Sequence, residues 1–208
     1  MERKTLEKKE RMLGEEHTDT LTSVANLASI YMEQHKYEEA KTLLVRVMGM
    51  KKRQLGLRHP ETLSSMSNLA SLYLLQDKWK PAEQLWRSII PMMAEKLGKD
   101  HPHTLTCMAS LATAYSNQGQ YQAAEELLNE VVKTRRTLFG VEDIGTLSSI
   151  EKLALVLMKQ GQYQEAEKFL EQVTEAHERL LGKEHPDTLP SKANLALIYD
   201  NQGRYEEA

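Results

Sequence analysis

Gly14, Gly56, Gly98, Gly140 and Gly182 stand 42 residues apart, with no insertion between any two of them. Each opens a version of one phrase: GEEHTDTL (14–21), GLRHPETL (56–63), GKDHPHTL (98–105), GVEDIGTL (140–147) and GKEHPDTL (182–189). A fixed period of this size marks a stacked repeat architecture, in which each unit buries its apolar faces only against its neighbours. No other feature narrows the possible folds so far.

The rest of the unit repeats as well. Leu27, Leu69, Leu111, Leu153 and Leu195 are each followed by alanine, at 28, 70, 112, 154 and 196. Three residues later come Tyr31, Tyr73, Tyr115, Leu157 and Tyr199. Gln34, Gln76, Gln118, Gln160 and Gln202 then precede His35, Asp77, Gly119, Gly161 and Gly203. An aromatic follows (Tyr37, Trp79, Tyr121, Tyr163, Tyr205), and three residues on an alanine: Ala40, Ala82, Ala124, Ala166 and Ala208. In the first copy Leu21, Val24, Leu27, Ala28 and Tyr31 form one stripe of helical spacing, and Ala40, Leu43, Leu44, Val47 and Met48 form another. Each unit is therefore predicted to be a helical hairpin, and the chain an all-α solenoid of antiparallel helix pairs. Small alanines let the helices approach; leucines and tyrosines fill the space between them.

The recurring phrase reads as punctuation between hairpins. The glycine stops the second helix. The histidine (His17, His59, His101, His185) falls at the next N-cap, proline fits the first turn, and an acid favours the positive end of the helix dipole. Thr20, Thr62, Thr104, Thr146 and Thr188 are placed where a hydroxyl could help satisfy free N–H groups. In the Gln-Gly-x-Tyr turn, His35 and Asp77 replace the glycine that tolerates a left-handed backbone, so those two turns are expected to be strained or differently shaped. Pro91, deep in a second helix, predicts a bend near residues 87–91.

Catalytic and metal readings fare poorly against this one. Equivalent histidines would be offset by about 10 Å along a stack, the scale of helix packing, and so would not converge on a metal. Cys107 takes the place of Ser23, Ser65, Ser149 and Ser191, as a small packing residue would. No GxxxxGK[ST], GxSxG, HExxH or CxxC occurs. Neither enzyme chemistry nor a cofactor or metal is expected within these residues. A formal charge of −3 and 6% aromatics give no basic, ring-bearing surface for nucleic acid. Lys51-Lys52-Arg53 and Lys133 with Arg135-Arg136 end helices that open with acids, as the helix dipole favours. One cysteine, no apolar run long enough to span a bilayer and no apolar leader lead to the expectation of a cytoplasmic protein with no membrane partner.

Positions that packing leaves free carry the candidate function. On the first helix of successive hairpins one face bears Asn26 and Ser29, then Asn68 and Ser71, then Ser110 and Thr113. The inner surface of a curved stack is normally lined by these helices, and small polar side chains leave room for an extended peptide. The fourth copy departs from the pattern with Lys152, Leu155 and Lys159, a larger and more cationic stretch suited to an acidic or amphipathic partner.

A unit with Leu-Ala-x-x-Tyr and then Gly-x-Tyr-x-x-Ala resembles the tetratricopeptide repeat. The 42-residue form opening Leu-Gly-x-x-His-Pro is similar to the repeats of kinesin light chains. The wording His-Pro-Asp/Glu-Thr-Leu looks like arrays of fungal and bacterial multidomain proteins, where such arrays often follow a signalling NTPase of the NLR type. The resemblance implies a right-handed superhelix. It also implies that the Asn before Leu-Ala lines a peptide groove: Asn26, Asn68 and Asn194 match that position, while Ser110 and Lys152 depart from it.

The expected organisation is a single array: residues 1–13 end a preceding repeat, 14–55, 56–97, 98–139 and 140–181 are full repeats, and 182–208 begin another. Counting each glycine as position 1, Ala208 falls at position 27 and Met1 at position 30, so head-to-tail stacking of two molecules is a further expectation. The expected function is a non-catalytic interaction module whose concave groove binds an extended peptide or partner segment. The alternative is a structural or regulatory sensor or oligomerisation array of a larger NLR-like signalling NTPase.

Overall fold

The computed structural model describes residues 2–206; Met1 and Ala208, which carry the stacking expectation, lie outside them. Among the described residues there are ten helices and no strand: α1 (Glu2–Leu13), α2 (Thr18–Glu33), α3 (Tyr37–Leu55), α4 (Pro60–Leu75), α5 (Trp79–Leu97), α6 (Pro102–Asn117), α7 (Tyr121–Phe139), α8 (Ile144–Lys159), α9 (Tyr163–Leu181) and α10 (Thr188–Asn201). The fold is all-α and of the solenoid type. The first helices of the four complete pairs have 16 residues and the second helices 19. The chain forms two compact units, residues 1–107 and 108–208, so the division of the sequence falls at a residue of α6.

The turn inside each hairpin is a Schellman motif. Lys36 N–H donates to the Tyr31 carbonyl at 2.8 Å and His35 N–H to that of Met32 at 3.0 Å; Gln120 and Gly119 repeat this on Tyr115 and Ser116 at 2.9 and 3.1 Å. Gly119 takes φ +77°, whereas His35 and Asp77 are forced to +57°. Those two turns thus keep the shape of the others and carry the strain of a side chain in left-handed backbone. At the other end of the hairpin Gly56 has φ +86° and ψ 165°, a region open essentially to glycine alone.

His17 and His59 cap α2 and α4 as expected, and His101 makes the same contact before α6; His185 makes it too but is not the N-cap of α10, which is Asp187. Nδ1 of His17, His59, His101 and His185 accepts the N–H two residues on, at 3.1 to 3.3 Å. Asp143 does the same work in the fourth copy, accepting from Thr146 N–H at 2.8 Å. The fifth copy differs: α10 begins at Thr188, because Pro190 has no N–H to close the first turn on the Pro186 carbonyl. The threonine hydroxyls do not cap N–H groups. Thr104 and Thr188 donate to the carbonyls of Gly98 and Gly182 at 2.9 Å, tying the loop to the helix that follows. The Thr20 and Thr62 hydroxyls are buried with no partner among the described residues. Pro91 does not interrupt α5; its ring faces solvent.

In the first unit Leu6, Leu21, Val24, Leu27 and Val47 form one core cluster, and Ala28, Ala40, Leu44, Leu69 and Leu72 the next. Trp86 is fully buried, its indole N–H reaching Ser67 Oγ at 3.3 Å. In the second unit Leu128, Val131, Leu147, Ile150, Leu170 and Val173 are buried in the same pattern. Each buried leucine, isoleucine or valine contributes about 1.5–3 kcal/mol relative to its exposed state. That term, summed along a unit, holds hairpins that no local preference would keep together. Among the described residues no helix is long and apolar enough to cross a membrane.

Candidate peptide-binding faces

Helical periodicity sorts each first helix into a packed and an open side. On α2 Leu27 and Ala28 are buried, while Asn26 and Ser29, three apart on the opposite side, are exposed. On α4 Leu69 and Ala70 are buried, Asn68 is exposed and Ser71 half-buried. Neither the Asn26 nor the Asn68 amide has a hydrogen-bond partner among the described residues. Ser29 Oγ leans back onto the Ala25 carbonyl at 3.3 Å. Beside Ser29 lies a hollow of 370 Å³ between the ends of α2 and α4, walled by Met32, Tyr37 and Leu75 and edged by Glu33 and His35. The first unit thus offers two free amides on neighbouring helices and an apolar recess next to one of them.

The second unit is more engaged. Ser110 and Thr113 on α6 are half-buried, and Thr113 Oγ1 donates to the Ala109 carbonyl at 3.1 Å. Lys159 is exposed, but its ammonium bonds Ser116 Oγ at 3.3 Å and Asn117 Oδ1 at 3.1 Å. Lys152 is half-buried and donates to Ser148 Oγ at 2.9 Å. Burial holds its pKa below the usual lysine range; Glu151 opposes that shift and Arg135 adds to it. Leu155 is half-buried. Asn194 on α10 gives its amide to Glu151 Oε1 at 3.3 Å, and Ser191 Oγ donates to the same oxygen at 3.3 Å. Of the ten expected site residues, the structure therefore leaves Asn26 and Asn68 with free amides and ties Lys152, Lys159 and Asn194 into the fold.

A second series of residues escaped the sequence reading. One position near the end of each second helix meets the following first helix through a different chemistry every time. Lys9 Nζ donates to Ser23 Oγ at 2.8 Å. Lys51 pairs with Glu61 at 3.2 Å. Met93 Sδ lies 3.5 Å from the Cys107 thiol. Arg135 pairs with Asp143 at 3.9 Å, and His177 Nδ1 lies 3.1 Å from Ser191 Oγ. The available signal was variability at one register: Lys9, Lys51, Met93, Arg135 and His177 are 42 residues apart, and the position changes from lysine to thioether, guanidinium and imidazole. Cys107 belongs to this series as a packing residue. Burial raises its thiol pKa, and the Ser67 hydroxyl at 3.3 Å opposes the rise. Among the described residues no group of three or more His, Cys, Asp or Glu is placed to hold a metal ion.

Comparison with known proteins agrees with the repeat. Profiles of the tetratricopeptide repeat match residues 17–93, 104–144 and 145–208. A crystal structure of nearly identical TPR-like repeats of kinesin-light-chain type from Podosopora anserina is similar at 34% identity, over 92% of this chain and 90% of that one, with a TM-score of 0.73. BtubC (BKLC) from P. vanneervenii shares the fold at 18% identity, over 100% of this chain and 84% of its own, with a TM-score of 0.80. NprR, solved in complex with its cognate peptide NprX, shares it at 16% identity over 99% of this chain and 57% of NprR, with a TM-score of 0.73. No curated protein sequence matches the chain.

Proposed function

Because the chain belongs to the tetratricopeptide-repeat family, we propose that it is a non-catalytic protein-interaction module that holds an extended peptide or partner segment against the open faces of its first helices. The observation that carries this reading is the pair Asn26 and Asn68. They stand one repeat apart, both exposed, and their amides are uncommitted within the fold. A carboxamide offers both a donor and an acceptor, so two of them on neighbouring helices can hold the backbone of an extended chain whatever its side chains. Ser29, Ser71, Ser110 and Thr113 keep the face low. In the second unit Lys152 and Lys159 add positive charge beside Leu155 and Asn194; Lys159 is exposed and, among the described residues, its ammonium bonds only the neutral Ser116 and Asn117, so its charge suits an acidic segment. The NprR–NprX complex supports the reading to the extent that a protein of this fold is seen there with a peptide.

The test is a peptide-display selection on the chain, run beside an Asn26→Ala/Asn68→Ala variant of unchanged helicity. Peptides sharing a motif that bind the parent and not the variant would establish the reading. Enrichment indifferent to the substitutions would move the site elsewhere.

The reading as a sensor or oligomerisation array draws on the terminal helices. Met12 and Leu13 on α1, and Leu189 and Leu197 on α10, are apolar and exposed. Head-to-tail association through such surfaces would show as a mass above that of the monomer in sedimentation equilibrium at millimolar protein; a monomer there would remove this option.

A further inference from the structure

Two pairs of successive second helices, α1 with α3 and α7 with α9, are clasped by side chains at the same two positions of the repeat. Arg46 of α3 reaches Glu10 of α1 at 2.8 Å, and Glu15 at 3.2 Å. In the second unit, Arg136 of α7 donates to Gln172 of α9 at 2.9 Å, and its guanidinium lies 5.7 Å from the centre of the Phe169 ring. The corresponding residues between α3 and α5 are Lys52 and Ser88, with Leu85 where Phe169 stands. No clasp forms there. Ser88 is short, and its hydroxyl turns back onto the Leu85 carbonyl at 2.7 Å. Lys51 and Arg53 are paired with Glu61 and Glu16, but Lys52 makes no ion pair among the described residues.

The result is a hollow of 470 Å³ floored by Met48, Met66, Leu69, Tyr73 and Leu85, with Lys52 at its rim. Burial shows what is missing. Val132, Ile150 and Leu157 of the second unit, on the helices beside the Phe169–Arg136 pair, are buried; their counterparts Met48, Met66 and Tyr73 are half-buried. Met66, Leu69 and Tyr73 occupy the side of α4 opposite Asn68 and Ser71, so this hollow is separate from the amide-bearing face.

We propose that the hollow is a socket for one aromatic side chain of a protein partner, seated on Met48, Met66 and Leu85 with Lys52 closing over its ring. The chain supplies its own template, since an aromatic ring with a cation over it stands at the positions equivalent to Leu85 and Lys52, 84 residues later. Charge complementarity points the same way. Lys52 is the one charged group of the lining, no carboxylate neutralises it there, and a ring face is electron-rich. Two methionines in the floor adapt to ring edges more readily than branched side chains. Interface hot spots are enriched in aromatic side chains seated in desolvated pockets.

The experiment uses the full chain with carbon-13-labelled methionine methyl groups, titrated with N-acetylphenylalanine amide and, separately, N-acetylleucine amide. The Met48 and Met66 methyl signals are expected to show ring-current shifts with the phenylalanine probe, saturating with a Kd on the order of 1 mM for a fragment of this size. The leucine probe should bind about five-fold more weakly, the loss of a cation–π contact near 1 kcal/mol. Leu85→Phe, which plugs the hollow with the chain's own ring, should abolish the shifts. Lys52→Ala, an exposed substitution that leaves the fold intact, should weaken binding about three-fold or more, and decides the matter if Leu85→Phe does not fold. Equal affinity for the two probes, indifference to Lys52→Ala, or shifts confined to methionines outside the hollow would overturn the proposal.

Discussion

Arg135 occupies the space that Gly145 leaves open: a Cβ at position 145 would collide with the Arg135 guanidinium. The other copies carry Asp19, Glu61, His103 or Asp187 at that position. The glycine and the arginine are thus one feature, and neither residue is explained alone. Arg135 is buried on α7 and faces Asp143, the N-cap of α8; burial disfavours its charge and Asp143 favours it.

This coupling predicts an inversion. Gly→Ala within a helix ordinarily stabilises by about 1 kcal/mol. Here Gly145→Ala should destabilise by about 1–3 kcal/mol, the range for overpacking. In an Arg135→Met background the same change should be neutral or stabilising. Urea denaturation of the four proteins in the double-mutant cycle measures the difference, and additivity would refute the coupling.

The strained turns give the opposite sign. Asp77→Gly should stabilise by roughly 0.5–1 kcal/mol by relieving a left-handed φ of +57°. Gly119→Ala should destabilise by a similar amount. His35→Gly should gain less than Asp77→Gly, because it also removes the 2.8 Å contact between His35 Nδ1 and the Tyr37 hydroxyl. Midpoints of thermal unfolding would rank the three.

Threonines that look alike in sequence should behave differently. Thr104→Val removes a hydrogen bond to the Gly98 carbonyl and should cost about 0.5–1.5 kcal/mol. Thr62→Val replaces a buried hydroxyl that has no partner among the described residues, and should be neutral or stabilising. Equal losses at the two sites would show that the Thr62 hydroxyl is satisfied in solution.

Lys152 yields a pH dependence. Its pKa in the folded chain lies below the ordinary lysine value because burial penalises the charge. The unfolded chain therefore binds more protons between the folded pKa and about 10.5, so this group's contribution to stability rises with pH through that window. Lys152→Met should be more stable than the parent at pH 7, and the advantage should shrink as pH approaches 10.5. An advantage that stays constant with pH would mean that Lys152 is not held in its charged form at a cost.

The helices, their order and their caps were legible because they depend on residues near in sequence. Glycine at a helix end, histidine before proline and apolar residues at helical spacing each act within one or two turns. Pro190 was visible too, but its effect on the start of α10 depends on which carbonyl it fails to reach. The threonine contacts were misread because a hydroxyl can donate as well as accept, and only the fold brings the Gly98 and Gly182 carbonyls within reach of Thr104 and Thr188. On the candidate face, sequence separated open from packed positions on α2 and α4. It could not show that Lys159 would reach Ser116 and Asn117 or that Glu151 would take up the Asn194 amide, since those partners lie about one repeat away and on another helix.

Lys9, Lys51, Met93, Arg135 and His177 also bear on how such a gene can change. A strict 42-residue period invites unequal crossing-over, and the backbone would accept the loss or gain of a whole unit without a seam. The side chains would not. Joining the helix that carries Arg135 to a first helix bearing an acid in place of Gly145 would push a bulky side chain into the guanidinium. Joining the helix of Met93 to one with serine in place of Cys107 would set a hydroxyl against a thioether. Each seam accepts its own neighbour best, so the repeats are equal in length yet not interchangeable in order.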